Sequence, residues 1–338
     1  MKKILLIRFS SFGDVVQAMN ASRAIKLKYP EAEIIWLSKK MFSNFLEAES
    51  SIDHVISLED FDGSLWKLKT FIIEQKFDLI YDAHRNLRTL IIRFLLLLFG
   101  FSGDWIFRPK SRWKRFLLFK FRINFFEDPF FSKLSYLAPI KLSHDRRLLR
   151  ELSEGRFNIS YESIVKSKFP FVGGRYVVLA PSAAWEMKRW PTDKWSEVIK
   201  KISEDNLVIL VGGPNDLFIE DLYTSDNQNV LNLAGRTDFY ETFYLVEHSS
   251  YVLSADTGVI HIADLIHKRG GLLLGPTAFG RTHSYNITIF EEDMPCRPCT
   301  KDGRGGCSRE TYQECMVNIS VDRVLRDMGD AISSHCLQ

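Results

Sequence analysis

The chain has 338 residues, more than one hydrophobic core ordinarily holds, which predicts two domains of about 150 residues each. Its 46% hydrophobic and 26% charged residues are ordinary for a folded globular protein and exclude a disordered chain, and its formal charge of +3 is small. The charge is unevenly placed, however: from His84 to Arg122 ten Arg or Lys face Asp104 alone, a local net of +9 that seeks an anionic partner.

In chain order, the start imitates a signal peptide until Arg8 ends its apolar run, and no small-residue cleavage site follows. Residues 4–7 therefore read as a strand of the continuous apolar kind that a two-sided parallel sheet buries. Ser10-Ser11-Phe12-Gly13-Asp14 forms a small-residue turn into a helix carrying Val15, Val16, Ala18, Met19 and Ala24. Strands are predicted at 33–37, 52–56 and 77–81 with helices between them, so the first half repeats a βαβ unit. After Asp82-Ala83-His84-Arg85-Asn86 comes a Phe-rich, basic region, with helices expected near 87–99 and 111–122. The apolar run at 90–101 is interrupted by Arg93 and falls short of the roughly 18 residues of a membrane span, so the expected location is cytoplasmic.

Residues 140–165 carry many charges and lead to a restart at Gly173-Gly174. Strands follow at 176–180, 207–211, 230–233, 252–254 and 272–274, with a helix at 194–202, so the second half is a further α/β unit. Val321, Val324, Leu325, Met328 and Ile332 sit at helical spacing behind a Ser320 cap.

Neither first strand is followed by G-x-G-x-x-G, and no P-loop is present, which removes the main support for a dinucleotide dehydrogenase. Scattered turns carry the chemistry instead. In 252–266 a strand breaks at Asp256-Thr257-Gly258 just before an apolar helical face, and the free amides of a helix start favour an anion. The bland reading of this turn is an Asp-Thr helix cap with His261 packed on the sheet. Lys188, in the turn 181–191, has the charge to neutralise a diphosphate, and Asp14 is placed either to cap its helix or to take a proton from a hydroxyl.

Four segments resemble glycosyltransferase family 9, the bacterial heptosyltransferases: Ser-Ser-Phe-Gly-Asp-Val-Val at 10–16, Trp-x-x-Lys-Arg-Trp-Pro at 185–191, Asp-Thr-Gly-x-x-His at 256–261, and Gly-Pro-Thr-x-x-x-Arg-Thr at 275–282. They lie in the family's order over nearly the whole chain. The resemblance implies an α/β GT-B architecture, two Rossmann-like domains facing each other across a cleft. Its parts would be an acceptor domain at 1–168, a nucleotide-sugar domain at 169–319, and a last helix at 320–338 crossing back to the first domain. It implies Asp14 as general base, Lys188 as phosphate ligand, and Asp256, Thr257, Gly258 and His261 in the donor pocket with Gly275, Pro276 and Thr277. Ser182 would stand in for the hydroxyl that many relatives carry where this chain has Ala183-Ala184, and Asp216 would meet the ribose. The acceptor would be met by Ser10, Ser11, Arg85, Arg88, Arg112, Lys114 and Arg115. An inverting transfer of this kind needs no catalytic metal, because Lys188 and the helix start at Thr257 answer the charge of the leaving diphosphate.

Cys296, Cys299, Cys307 and Cys315, with Cys336 outside the group, have the spacing of a structural zinc or iron site, and the alternative is a set of reduced thiols. The expected partners are thus ADP-heptose and a lipopolysaccharide core or other lipid-linked glycan, with peripheral inner-membrane contact and no nucleic acid. A protein acceptor, and a non-catalytic basic module for nucleic acid or membrane, are the alternatives.

Overall fold

In the computed structural model, described for residues 1–127, 130–141, 152, 157, 162–277, 282 and 285–334, the chain divides into two α/β units. The first comprises Met1–Lys110 with Ser132–Tyr161, the second Ser111–Phe131 with Glu162–Gln338. Both are Rossmann-like, and the fold is of the GT-B kind expected.

The first unit is built on β1 (Lys3–Ile7), β2 (Glu33–Ser38), β3 (His54–Ser57), β4 (Leu79–Asp82) and β5 (Asp104–Phe107). They pair in the order β3-β2-β1-β4-β5, all parallel. Residues 4–7 are fully buried because both faces of the sheet are covered. Helices α1 (Phe12–Lys28), α2 (Ser43–Glu47), α3 (Leu65–Glu74) and α4 (Leu87–Leu98) follow β1, β2, β3 and β4. Residue 52–53 chain, expected to open the third strand, instead turns where Asp53 binds the Ile34 amide and Lys26. The fifth strand was not expected: both its ends are exposed at the sheet edge, where no apolar run is required.

The basic segment does not stay with the first unit. Helix α5 (Arg112–Phe121) and the residues after it group with the second, where Arg122 Nη1 donates to the Pro298 carbonyl at 2.6 Å. Two short helices, α6 (Leu134–Leu137) in the first unit and α7 (Glu162–Lys168) in the second, lie on either side of the charged stretch at 142–160.

The second sheet runs β11-β10-β9-β6-β7-β8, again all parallel. Its strands are β6 (Tyr176–Ala180), β7 (Leu207–Leu210), β8 (Val230–Asn232), β9 (Tyr251–Ala255), β10 (Gly270–Leu273) and the unexpected edge strand β11 (Ile287–Phe290). Helices α8 (Thr192–Ile202), α9 (Phe239–His248) and α10 (Gly258–Leu265) connect them, and α11 (Glu314–Val317) and α12 (Val321–Ser334) end the described chain. The predicted stripe holds: Val321, Val324, Met328 and Ile332 are buried. They join the core of the second unit with Trp195 and Val198 of α8, so the helix expected to cross back spends its apolar face here. Asp327 on its length accepts from Tyr251 of β9 at 2.5 Å and from Thr288 of β11 at 2.7 Å.

Candidate functional site

Each sheet reverses its strand order beside its first strand, between β1 and β4 and between β6 and β9. Connections leave such a point in opposite directions, which opens a crevice at the carboxyl ends of those strands where ligands bind. Many of the predicted site residues collect at these two places.

In the first unit, Asp14 stands in the first turn of α1, one-third exposed. Its carboxylate is not capping the helix backbone. Oδ1 accepts from Tyr136 at 2.8 Å and lies 3.5 Å from Arg108, while Oδ2 accepts from Ser11 at 3.0 Å and pairs with Arg8. Burial alone would raise the pKa of Asp14, but Arg8 and Arg108, helped by the two hydroxyls, hold the carboxyl well below the usual range. The group is therefore ionised at any physiological pH. Arg8 is itself only 6% exposed and is fixed by the Ala83 carbonyl at 2.9 Å, and the Arg108 guanidinium lies over the Tyr136 ring at 3.6 Å.

The same crevice receives the turn after β4. Asp82 is buried and accepts the amides of His84 and Arg85, so it shapes the turn rather than facing a ligand; burial raises its pKa. The His84 Nδ1 accepts from the Phe9 amide at 3.3 Å, and burial with Arg8 and Lys110 nearby brings its pKa down to about 3, which leaves a neutral imidazole. Arg88 lies over Phe9 at 5.8 Å, and Arg85 lies over Phe107 at 4.4 Å. Ser11 is exposed and Ser10 half-buried on the same turn. Sequence reasoning gave no site role to Arg8, His84, Arg108 or Tyr136: Arg8 stood out as a charge ending an apolar strand, His84 in the turn after the fourth strand and Arg108 within the basic block, while Tyr136 left no trace.

In the second unit, the turns after β6 and β9 meet in a second ion pair. Lys188 Nζ is 2.7 Å from Asp256 Oδ2, which also accepts from Thr277 at 2.9 Å, and His261 Nε2 is 3.7 Å from Oδ1. Burial would raise Asp256, but Lys188 and His261 hold its carboxyl below the usual carboxylate range. Asp256 is therefore an anchor for Lys188 more than a donor ligand in its own right. Thr257 caps α10 through its backbone while its hydroxyl meets Ser254 at 3.0 Å, so the first amides from Gly258 onward have no intrahelical partner. Ser182 is half-buried just after β6.

The Gly275-Pro276-Thr277 turn is buried, and Arg297 holds it through the carbonyls of Leu274 and Gly275, both at 2.8 Å. A Cβ on Gly275 would come within 2.4 Å of the Met316 sulfur, so only glycine fits. Arg281 of this motif lies outside the described residues. Gly303, unnoticed in the sequence, seats against Lys188: it has φ +93°, and a Cβ there would meet Lys188 Cγ at 2.8 Å and Trp185 Cβ at 3.0 Å.

Other expected residues are committed elsewhere. Asp216 accepts the Gly213 amide at 2.7 Å and faces Arg189 at 3.6 Å, so it braces its own turn where a ribose contact was expected. Arg112, Lys114 and Arg115 lie on α5 of the second unit, apart in the chain's division from Ser10, Ser11, Arg85 and Arg88. The four cysteines are free thiols, Cys315 buried and the others half-buried, while Cys336 lies outside the described residues. Burial, opposed by Arg297 and reinforced by the three other thiols, pushes Cys315 up to about 11. Among the described residues, no three His, Cys, Asp or Glu side chains are set to hold a metal, so the thiols as placed do not form the expected tetrahedral ligand set.

The family model described as Glycosyltransferase family 9 (heptosyltransferase) matches residues 66–307. Lipooligosaccharide heptosyltransferase 2 of Haemophilus ducreyi is 22% identical over 98% of this chain and 99% of its own length. Among solved structures, E. coli ADP-heptose LPS heptosyltransferase II superposes with a TM-score of 0.74 at 21% identity, covering 99% of both chains. The iron-containing dodecameric glycosyltransferase TibC of enterotoxigenic E. coli superposes at 0.62 with 11% identity, over 98% of this chain and 76% of its own.

Proposed function

The chain belongs to glycosyltransferase family 9, the heptosyltransferase family, and on that premise we propose that it moves heptose from ADP-heptose to an inner-core sugar of lipopolysaccharide, with inversion and without a catalytic metal. The observation that carries this reading is the pair of constellations at the two switch points: a carboxylate held among arginines in one unit, and a lysine held beside a helix start in the other.

In the second unit the diphosphate of the donor takes Lys188 from Asp256 in part, and the amides after Thr257 meet the remaining oxygens. As the anomeric carbon–oxygen bond breaks, its electron pair passes to the diphosphate, whose growing charge these groups stabilise. In the first unit the acceptor hydroxyl attacks from the opposite face and gives its proton to Asp14. A carboxylate with a depressed pKa is a weak base, but a hydroxyl becomes strongly acidic as it bonds to an electron-poor carbon, so the transfer runs downhill late in the step. Arg8 and Arg108 give Asp14 more positive charge than it cancels, which suits a phosphorylated acceptor.

The test is mass spectrometry of a truncated lipopolysaccharide core after incubation with purified protein and ADP-heptose. Gain of one heptose is expected by mass, and NMR of the product should show the anomeric form opposite to that of the donor. Release of ADP without transfer, or transfer to a protein side chain instead, overturns the acceptor.

For the cysteine loop a structural role is proposed. Zinc or iron would require Cys296, Cys299 and Cys307 to close on Cys315, and support comes from their C-x2-C spacing and from the iron of TibC. It would tie the loop that carries Gly303 and take no part in the transfer. Anaerobically purified protein should then hold about one such ion per chain, and the absence of both metals removes the idea.

A further inference from the structure

Helix α4 has two apolar faces and needs only one for the fold. Ile92 and Leu96 are fully buried in the core of the first unit, and the Asn86–Thr89 capping box fixes its start. The other face carries Leu87, Leu90, Ile91, Phe94, Leu97 and Leu98, each between 40% and 73% exposed. The spacing of three and four puts them in one continuous stripe along twelve residues, about 18 Å of helix. An exposed apolar stripe of this size marks a surface that docks something.

The surroundings say what. Between residues 84 and 110, Arg85, Arg88, Arg93 and Lys110 are exposed or half-buried cations, and Asp104 is the one acidic residue. Arg88 is exposed on the helix itself, and Arg93 and Arg85 lie over the ring of Phe107 at 5.8 and 4.4 Å. At the far end, Trp66 and Phe99 are two exposed aromatics in edge contact, with the buried Lys69 ammonium 4.2 Å from both rings. Apolar side chains rimmed by cations, with Trp at the margin, match an anionic lipid surface, whose headgroups pair with the cations while the acyl region takes the stripe. No helix among the described residues is long and apolar enough to cross a membrane, so α4 would lie in the plane of the interface.

We propose that the outer face of α4 is a membrane-docking surface that inserts Leu90, Phe94, Leu97 and Leu98 into a bilayer rich in anionic phospholipid. This goes beyond sugar transfer, and it is tested without donor or acceptor, so its failure and that of the transferase reading are separate. The experiment is co-sedimentation of the full chain with vesicles of phosphatidylcholine alone and of phosphatidylcholine with phosphatidylglycerol. Binding is expected only to the second, and weakens as salt rises.

Phe94→Ser with Leu98→Ser should weaken it on the order of a hundredfold, given the area each side chain would bury. Arg93→Gln should weaken it about fivefold, the share of one cation near such a surface. Because the three positions are surface ones, unchanged thermal unfolding and unchanged ADP binding serve as controls for folding. Retained binding in the double variant overturns the assignment. So does wild-type protein that ignores both vesicles yet self-associates through the same side chains, because the stripe is then an interface between copies.

Discussion

The two switch points use the same three ingredients, a carboxylate, a cation and a hydroxyl, in opposite proportions. At the first, one carboxylate is shared by Arg8 and Arg108, so cation is in excess and Asp14 cannot be neutralised by protonation near neutral pH. At the second, Asp256 holds one lysine within 2.7 Å, so the pair is balanced until an anion arrives to compete for Lys188. The contrast teaches that depressed carboxylate pKa values have different meanings. Asp14 is kept charged by two guanidinium groups, whereas Asp256 is a holder whose charge keeps in place Lys188, the proposed phosphate ligand.

The largest effect should come from removing the first charge while keeping its shape. Asp14→Asn is expected to lower kcat by about 10² to 10⁴ with ADP-sugar affinity nearly unchanged. Steady-state kinetics and donor titration check it, and near-full activity would mean that the two units do not divide the labour in this way. A smaller effect is expected at the second site from a glycine that seats against Lys188. In Gly303→Ala the new methyl group must displace Lys188 or Trp185, and strain of this order raises the donor KM about tenfold. Gly305→Ala is the control, because Gly305 also has positive φ but nothing lies within 4 Å of its Cβ position. Equal losses in both variants would trace the effect to backbone strain and not to Lys188.

The smallest effect is on stability. His84 is neutral when folded, with a pKa near 3 against about 6.5 unfolded, so the unfolded chain binds more protons between those values. Its contribution is fully present above about pH 6.5 and is lost as the pH falls toward 3. The Asp14 contribution has the same sign but is lost only below about pH 4, where the unfolded carboxyl begins to take up its proton. Urea midpoints measured from pH 7 to pH 4 should therefore fall less steeply in His84→Asn than in the parent chain. A parallel decline would mean that His84 is solvated and not part of the first constellation.

Strands with continuous apolar runs were legible because burial on both faces demands them, as in β1 and β6. The edge strands β5 and β11 were not, since an edge needs fewer apolar side chains and one hides in a Phe-rich stretch. At the sites, the turns carrying Asp14, Lys188 and Asp256 could be read because local sequence makes a turn. Their partners could not. Tyr136 reaches Asp14 from 122 residues away, and Gly303 reaches Lys188 from a loop whose cysteines drew attention to metals. The grouping of 111–131 with the second unit was not legible for a related reason: helix α5 is amphipathic in itself, and nothing local says which unit supplies the surface for its buried Leu118.

That return of 111–131 to the second unit has a consequence for the order of events as the chain is made. Arg122 precedes the Pro298 carbonyl that receives it by 176 residues. At the usual pace of bacterial or eukaryotic synthesis, about 5 to 20 residues per second, a segment bearing Arg112, Trp113, Lys114, Arg115 and Phe116 leaves the ribosome roughly 10 to 35 s before its destination exists. The first unit can meanwhile assemble its sheet from β1 to β5, all of which have already emerged. A nascent chain halted before Pro298 would then hold the strands of the first sheet together with a cationic, aromatic segment whose partner has yet to be made.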